Sequence, residues 1–372
     1  MITSKKHLTR VLASAALIGV ALTSSTACDN GISQNVAAEK TTEQRAGKAE
    51  TRLRKKRPAA EPAPTMIPRG SETGEPAELG AVAPEYAKPT RRPLAVIVEN
   101  HPDARPQTGL DRADVVYEAP AEYGIPRFMA IFVNQDAPIL GPVRSARPYY
   151  VAWASEYDPV FIHAGGSPKA MRWIKQLDVT DVDAIYDSIG GFERTSDRIA
   201  PHNLYADTRE VRRAIAATRD LQGDGTWGGL RFGSQFTVGP KEGREVSVAY
   251  DAGYDVRYTY DERAGLYLRE MEGKPHLDRE SKEQLNASVV IVQTVGMWQV
   301  EGDKYGRLEA AVQAKNRALI LQDGRLIEGY WEKDKRDSPT LYTTQDGQPI
   351  TLKPGRVWIQ IAPAKGTKVE HR

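Results

Sequence analysis

Cysteine is almost absent from this 372-residue chain, which contains a single one, Cys28. Because Cys28 directly follows an apolar N-terminal segment, no cysteine remains in the part expected to fold. This excludes a disulfide framework and a cysteine nucleophile. Net charge is also small, at +2, so the chain has no overall excess of one sign to attract a polyanion. Zinc-ligand spacings and basic-aromatic repeats are missing too, and we predict no nucleic-acid partner.

The N-terminal region lacks an apolar run long enough to span a bilayer. Val11–Leu22, about 12 residues, has the length of a signal-peptide core and follows three basic residues. Small residues lead from it to Cys28, so we predict a signal peptide over 1–27 and a lipid on Cys28. Ser25 stands where a large aliphatic residue is usual, and secretory cleavage after Ala27 is the alternative. Both place the protein outside the cytoplasm, and the first anchors it to a bacterial membrane.

Residues 28–92 have too few large apolar side chains to build a core, and they are rich in proline. We therefore predict a disordered, semi-stiff tether between the anchor and the folded body. The basic run Arg52–Arg57 either contacts anionic lipid heads or is simply a solvated stretch of this tether.

Strand-length apolar runs then alternate with helix signals. Leu94–Val98 contains no polar residue, which is typical of a strand buried on both faces. Helices are predicted to begin at Pro148, after Ser167 and after Asp207, because these residue types favour helix starts. The alternation predicts an α/β domain over 93–230, with a mixed α+β arrangement as the alternative.

The rest of the chain, 231–372, has short apolar runs separated by strong turn signals such as Asp323-Gly324. We predict a β-rich C-terminal domain. Two finer predictions are a short strand at Ala184–Tyr186 and a polar loop at Gly273–Asp278.

Polar residues follow two predicted strands at the point where each ends. They are Glu99, Asn100 and His101 after the first strand, and His163, Gly165, Gly166 and Ser167 at the end of the second. If these strands are parallel neighbours, both groups lie at the sheet edge where open α/β sheets bind ligands. The glycine turn ahead of a helix either presents amide groups to an anion or is a tight turn without a ligand.

Two further groups of candidates lie nearby in the sequence. They are Arg144, Ser145 and Arg147 on a predicted turn, and Arg194, Arg198, His202 and Asn203 in a polar loop. Planar guanidinium groups suit bidentate recognition of phosphate or carboxylate. The alternatives are internal ion pairs for the first group, and loop-stitching hydrogen bonds for His202 and Asn203.

Catalysis, if present, would use His163 or His202 as a general acid/base. The chain has no nucleophile-elbow motif, no Rossmann glycine spacing and no Walker lysine. A site for zinc or a similar ion, built from Glu99, His101, His163 and His202, is an alternative. No two histidines have the H-x-x-x-H spacing, however, so we predict neither a metal nor another cofactor.

Several stretches resemble one family in order and spacing. They are LAVIVENHPDARPQTGLDRADVVYEA, GPVRSARPYY, FIHAGGSP and APHNLY, followed by ALILQDGRLIEGYWEK and QPITLKPGRVWIQIAP. Over about residues 93–363 the chain is similar to the YerB-like bacterial lipoproteins. This resemblance implies an exported, lipid-anchored protein of two domains. It implies no reaction and no catalytic residues, because the family is known as a domain of unknown function.

Together these observations predict a cell-envelope lipoprotein that binds an anionic envelope ligand in a cleft lined by arginine and histidine. One alternative is hydrolysis of a phosphate- or carboxylate-bearing envelope polymer, and another is a non-catalytic scaffold. The cleft hypotheses expect one pocket that contains His101, Arg144, Arg147, His163 and His202. The scaffold hypothesis expects these side chains to be scattered. Oligomeric state is left open.

Overall fold

The structure, a computed structural model, describes residues 89–218, 225–250 and 253–372. The predicted signal peptide, Cys28 and nearly all of the predicted tether lie outside these residues. Within them, none of the helices has the length and apolar character needed to cross a membrane. The α-helices are α1 Pro148–Ala154, α2 Pro168–Gln176 and α3 Thr208–Ala216, and the 3-10 helices are Pro102–Ala104, Leu110–Arg112, Glu122–Gly124 and Ser155–Tyr157.

Strands supply most of the regular structure. In chain order they are β1 Leu94–Glu99, β2 Val115–Pro120, β3 Pro126–Phe132, β4 Val160–His163, β5 Asp181–Asp183, β6 Phe192–Arg194, β7 Leu204–Ala206, β8 Lys241–Glu242, β9 Glu245–Tyr250, β10 Val256–Asp261, β11 Leu266–Met271, β12 Lys274–Pro275, β13 Asn286–Ala287, β14 Val289–Val295, β15 Met297–Gln299, β16 Leu308–Ala310, β17 Ala314–Gln322, β18 Arg325–Lys333, β19 Leu341–Thr344, β20 Val357–Pro363 and β21 Thr367–His371.

One large mixed sheet runs through both halves of the chain. Its strand order is β19-β18-β17-β14-β20-β2-β3-β1-β4-β5, and β8 also pairs with β18. β20, from the C-terminal half, lies between β14 and β2 and runs parallel to both. A second sheet has the order β12-β11-β10-β9-β21, with β13 on β11. Strands from the two predicted domains therefore form one continuous sheet.

The large sheet is buried on both faces, as the apolar run of β1 predicts. Val96 and Val98 pack in one core cluster with α3 and the second sheet, whereas Ala95 and Ile97 pack in another with α1 and α2. Successive side chains of a strand point to opposite faces, so β1 contributes to both clusters. β1 and β4 are parallel neighbours, with Leu94 opposite Val160, and their carboxyl ends therefore lie at one edge of the sheet.

The predicted fold class is confirmed: an α/β part is followed by a strand-rich part, with 41% strand and 13% helix among the described residues. The three helices begin where the sequence predicts. Ser167 caps α2, its hydroxyl accepting from the Ala170 amide at 3.3 Å. Asp207 caps α3 in the same way through the amides of Arg209 and Glu210.

The predicted strand at Ala184–Tyr186 is wrong. The strand is β5, and the chain turns directly after it because the Asp183 carboxylate accepts from the Ile185 amide at 3.0 Å. Ile185 and Tyr186 are consequently 50% and 79% exposed.

The predicted polar loop at Gly273–Asp278 is also wrong. It contains β12, and His276 and Asp278 are buried. Burial is possible because His276 accepts a hydrogen bond from Arg269 Nε at 2.9 Å, a partner that local sequence does not reveal.

Candidate functional site

The candidate site is built on the carboxyl end of β1. Residues 140–146 lie between this strand and β7: the Arg144 amide donates to Ile97 O at 2.8 Å, and the Val143 amide donates to Leu204 O at 2.6 Å. This segment brings the loop between β6 and β7 close to the end of β1, and so places His202 beside Glu99.

Glu99 is the centre of the arrangement. Its carboxylate is only 6% exposed, and it contacts Arg144 Nε at 2.9 Å and His202 Nδ1 at 3.0 Å. A carboxylate accepts, so Nδ1 of His202 carries a hydrogen and donates it. In the neutral imidazole this leaves the lone pair on Nε2, which faces away from Glu99.

The solvent-facing part of the site is the histidine cluster, which consists of His101, Asp103 and His202. The two imidazole rings stack, with centroids 4.7 Å apart and 21° between planes. The side chains are 36%, 71% and 17% exposed in that order, so a ligand from solvent can reach them. Asp103 was missed from the sequence, although the His-Pro-Asp spacing on a tight turn was a usable signal.

The polar loop adds two arginines. Arg198 donates to Tyr205 Oη at 2.6 Å and to the carbonyls of Ala104 and Pro106 at 2.8 and 2.9 Å. These three partners are neutral oxygens, so the hydrogen bonds do not cancel its charge. Arg198 thus binds the backbone of Ala104, the residue that follows Asp103 of the histidine cluster.

Arg194 and Asn203 flank this loop, Arg194 as the last residue of β6 and Asn203 directly before β7. Arg194 is exposed and donates to Asn203 Oδ1 at 2.8 Å, while Asn203 Nδ2 donates to the carbonyls of Thr195 and Arg198. Asn203 therefore holds the loop together, as one of the two sequence interpretations expected.

Arg147 lies in a different ion pair. It is 8% exposed and contacts the carboxylate of Glu122, which Arg127 also binds at 2.8 Å. Burial acts to raise the pKa of Glu122, but Arg127 and Arg147 together lower it below its ordinary value. Burial and the nearby Arg147 charge lower the pKa of Arg127 to about 10. Ser145 joins this group through its carbonyl, which accepts from Arg127 at 2.8 Å.

His163 is fully buried. Its Nδ1 lies 2.9 Å from Gly165 O, and its Nε2 lies 3.1 Å from an Asp181 carboxylate oxygen. These contacts tie β4 to β5. A side chain with no exposure cannot take a proton from a ligand in solvent, so we assign it no role in proton transfer.

The glycine turn is occupied by groups of the protein itself. The Gly165 amide donates to the Asp183 carboxylate at 2.9 Å, and the Ser167 amide donates to Ala146 O at 3.2 Å. Gly166 pairs with Ala146 in a parallel bridge. An internal carboxylate thus takes the position that the sequence left open for an external anion.

Asn100 points into a buried polar network that the sequence did not reveal. Its side chain donates to Glu118 at 3.2 Å, and Glu118 forms an ion pair with Arg269 at 2.7 Å in which neither side chain is exposed. Arg269 also donates to His276, and burial together with this positive charge holds the pKa of His276 well below its ordinary value. The network joins the two sheets and is a structural element.

The single pocket expected from the sequence is not formed. The structure brings Arg144 and His202 to Glu99 and stacks His101 on His202. It places Arg147 and His163 against other carboxylates, those of Glu122 and Asp181.

Comparison with known families agrees with this architecture. Residues 79–222 match the N-terminal domain of DUF3048, a protein of unknown function, and residues 246–359 match its C-terminal domain. Together the two matches span more than half of the chain. The chain therefore belongs to the DUF3048 family.

A relative within this family is YerB of Bacillus subtilis (strain 168), a protein named as a lipoprotein. It is 31% identical over 290 residues, which span 77% of this chain and 86% of YerB. The crystal structure of YerB from Bacillus subtilis is similar with a TM-score of 0.65 at 30% identity, covering 75% of this chain and 94% of that one. The YerB-like resemblance is confirmed.

Proposed function

We propose that this chain is an exported lipoprotein, held on a bacterial membrane by a lipid on Cys28, that binds an anionic ligand of the cell envelope. The lipoprotein name of YerB and the signal pattern of residues 1–28 support the anchor. The observation that carries the ligand is the solvent-facing histidine cluster beside Arg198, whose hydrogen bonds leave its charge uncancelled.

The candidate arginines fall into two groups, one paired with a carboxylate inside the protein and one available to a ligand. Arg147 is buried against Glu122, and its charge is used within the protein. Arg194, at the end of β6, and Arg198, in the loop that carries His202, have neutral hydrogen-bond partners. We therefore assign anion recognition to these two arginines, with phosphate or carboxylate as the recognised group.

The test measures binding of the full chain, in detergent, to inorganic polyphosphate, polyglutamate and uncharged dextran. Binding to one of the acidic polymers should weaken as salt is raised, because contacts between exposed charges are screened. Arg194→Gln and Arg198→Gln should each weaken it, and Lys315→Gln on β17 is a matched exposed control. Equal affinity for dextran, or no affinity for either acidic polymer, would reject the proposed ligand.

Hydrolysis is the second candidate, and the His202–Glu99 contact favours it. A histidine whose Nδ1–H is held by a buried carboxylate has its Nε2 free to accept a proton from a nucleophile. The expected readout is new polymer ends, detected by mass spectrometry after incubation with polyphosphate or polyglutamate. His202→Gln should then abolish turnover while polymer binding persists. Turnover that survives this substitution would exclude His202 as the base.

A further inference from the structure

The histidine cluster has the spacing of a metal site. Its three potential ligand atoms, one from each side chain, lie within 4.8 Å of one another. The Asp103 carboxylate is 3.5 Å from His101 Nδ1 and 4.0 Å from His202 Nε2. Around a tetrahedral ion with ligand bonds of about 2.1 Å, neighbouring ligand atoms are about 3.4 Å apart. Small side-chain movements therefore suffice to hold one ion.

The orientation of His202 is already that of a metal ligand. Metal-binding histidines usually donate their second ring N–H to a carboxylate, which fixes the tautomer and increases ligand basicity. Glu99 accepts this hydrogen from Nδ1 at 3.0 Å, and Nε2 consequently faces Asp103. Arg144 contacts the other oxygen of Glu99 at 2.9 Å and holds the carboxylate in place.

His101 and Asp103 come from the first turn of the 3-10 helix Pro102–Ala104. His101 is its N-cap, and the Asp103 amide donates to His101 Nδ1 over a long 3.3 Å. Metal binding through this nitrogen replaces only that weak contact. Both side chains are open to solvent, so an ion can enter without opening the core.

We propose that His101, Asp103 and His202 bind one divalent transition-metal ion of the zinc class. Two imidazoles and one carboxylate suit zinc and similar ions, whereas calcium and magnesium prefer oxygen ligands alone. Three protein ligands leave at least one position open, which distinguishes this site from a closed structural zinc site. The open position accepts a phosphate or carboxylate oxygen, and this last step rests on the proposed anion binding, since Nε2 of His202 cannot be both a metal ligand and a general base.

The metal alone is the first probe. The full chain, in detergent and without a polyhistidine tag, is titrated with ZnCl₂ by calorimetry and with CoCl₂ by visible absorption. We expect one ion per chain. Glu99→Gln should weaken zinc binding by about 10–100-fold, because it removes the carboxylate that accepts the Nδ1–H of His202. His101→Gln and His202→Gln should weaken it further and abolish the cobalt bands. His371→Gln, on the exposed end of β21, is the matched control and should change nothing.

Zinc affinity and cobalt bands that persist in both cluster variants would overturn the metal site, as would the absence of saturable binding in the wild type. Circular dichroism checks that each variant is folded. Polymer binding is then measured with and without a chelator. If polymer binds but zinc does not, the metal site fails and the proposed function stands. If zinc binds but no acidic polymer does, the site stands and the proposed function fails.

Discussion

Oε2 of Glu99 lies 3.0 Å from Nδ1 of His202, although 103 positions separate the two residues in the chain. Glu99 is the last residue of β1, a strand with no exposed side chain, and His202 belongs to a surface loop. The contact therefore fixes a loop residue to a core strand. Sites supported by rigid elements keep their geometry better than sites built on loops alone.

Substitution of Arg147 is expected to affect stability, whereas substitution of Arg198 is expected to affect polymer binding. Arg147→Met removes one of two cations that neutralise Glu122, so we expect a loss of about 1–3 kcal/mol in the free energy of unfolding with polymer binding unchanged. Arg198→Gln should weaken polymer binding about tenfold, the effect of losing about 1.4 kcal/mol of a charged contact. Urea unfolding and calorimetry measure the two. If Arg147→Met bound polymer more weakly but kept wild-type stability, the separate roles assigned to the two arginines would be contradicted.

The buried ion pair between Glu118 and Arg269 is expected to dominate single-substitution effects on stability. Arg269→Met leaves the Glu118 charge buried without its cation, which should cost about 3–5 kcal/mol. Adding Glu118→Gln should recover part of this loss, because the uncompensated charge is gone. Urea denaturation of wild type, single and double variants gives the comparison.

The control for that experiment is Lys315→Met, which breaks an ion pair with Glu332 in which both side chains are about half exposed. Its denaturation midpoint should stay at the wild-type value, since exposed pairs contribute little. A double variant no more stable than Arg269→Met would contradict the role given to the uncompensated charge.

The decrease in the free energy of unfolding at acid pH is expected to depend on His276. Burial and the charge of Arg269 hold its pKa well below the ordinary value, so the folded protein keeps it neutral. The unfolded chain takes up a proton there below about pH 6.5, and the free energy of unfolding therefore falls as pH decreases from that point. The free energy of unfolding changes by up to about 1.4 kcal/mol per pH unit through this one group. His276→Gln should remove this contribution.

Asp278 changes the free energy of unfolding in the opposite direction as pH decreases, so its effect must be separated from that of His276. Burial, with the nearby charge of Asp111, raises its pKa to about 6, so the folded state binds the extra proton between about pH 4 and 6. The difference between wild type and His276→Gln, measured by urea unfolding from pH 7 to 5, cancels this effect. A difference that does not change with pH would show that His276 is not the acid-sensitive group.

Membrane attachment is expected to depend on Cys28. Cys28→Ser should move the protein from the membrane fraction to the soluble extracytoplasmic fraction, because a single lipid is the proposed anchor. Ser33→Ala, a few residues beyond, should leave the distribution unchanged. Fractionation with immunoblotting measures both, and full membrane retention of Cys28→Ser would count against the lipid.

Much of the fold could be predicted because its signals are local. Pro148, Ser167 and Asp207 begin helices for reasons contained in a few neighbouring residues. The apolar composition of β1 likewise predicts that the strand is buried on both faces. The strand prediction at Ala184–Tyr186 was wrong because the carboxylate of Asp183 accepts a hydrogen bond from the Ile185 amide and turns the chain.

The candidate site was less predictable because partners decide what each residue does. Arg147 and Arg198 are the same residue type in similar polar sequence, yet only Arg147 faces a carboxylate, that of Glu122. His163 ends a strand as Glu99 does, but its ring lies inside and contacts Asp181. Local sequence contains neither fact, since both depend on contacts between distant parts of the chain.

The position of β20 has a consequence for how the protein is made. Residues 357–363 follow every other strand of the large sheet in the chain, yet β20 separates β14 from β2 in the middle of that sheet. Until they emerge, the strands on either side lack their shared neighbour and the sheet stays in two incomplete parts. In a chain that crosses the membrane from its N-terminus, the other strands of the large sheet arrive first and the sheet closes only when β20 follows.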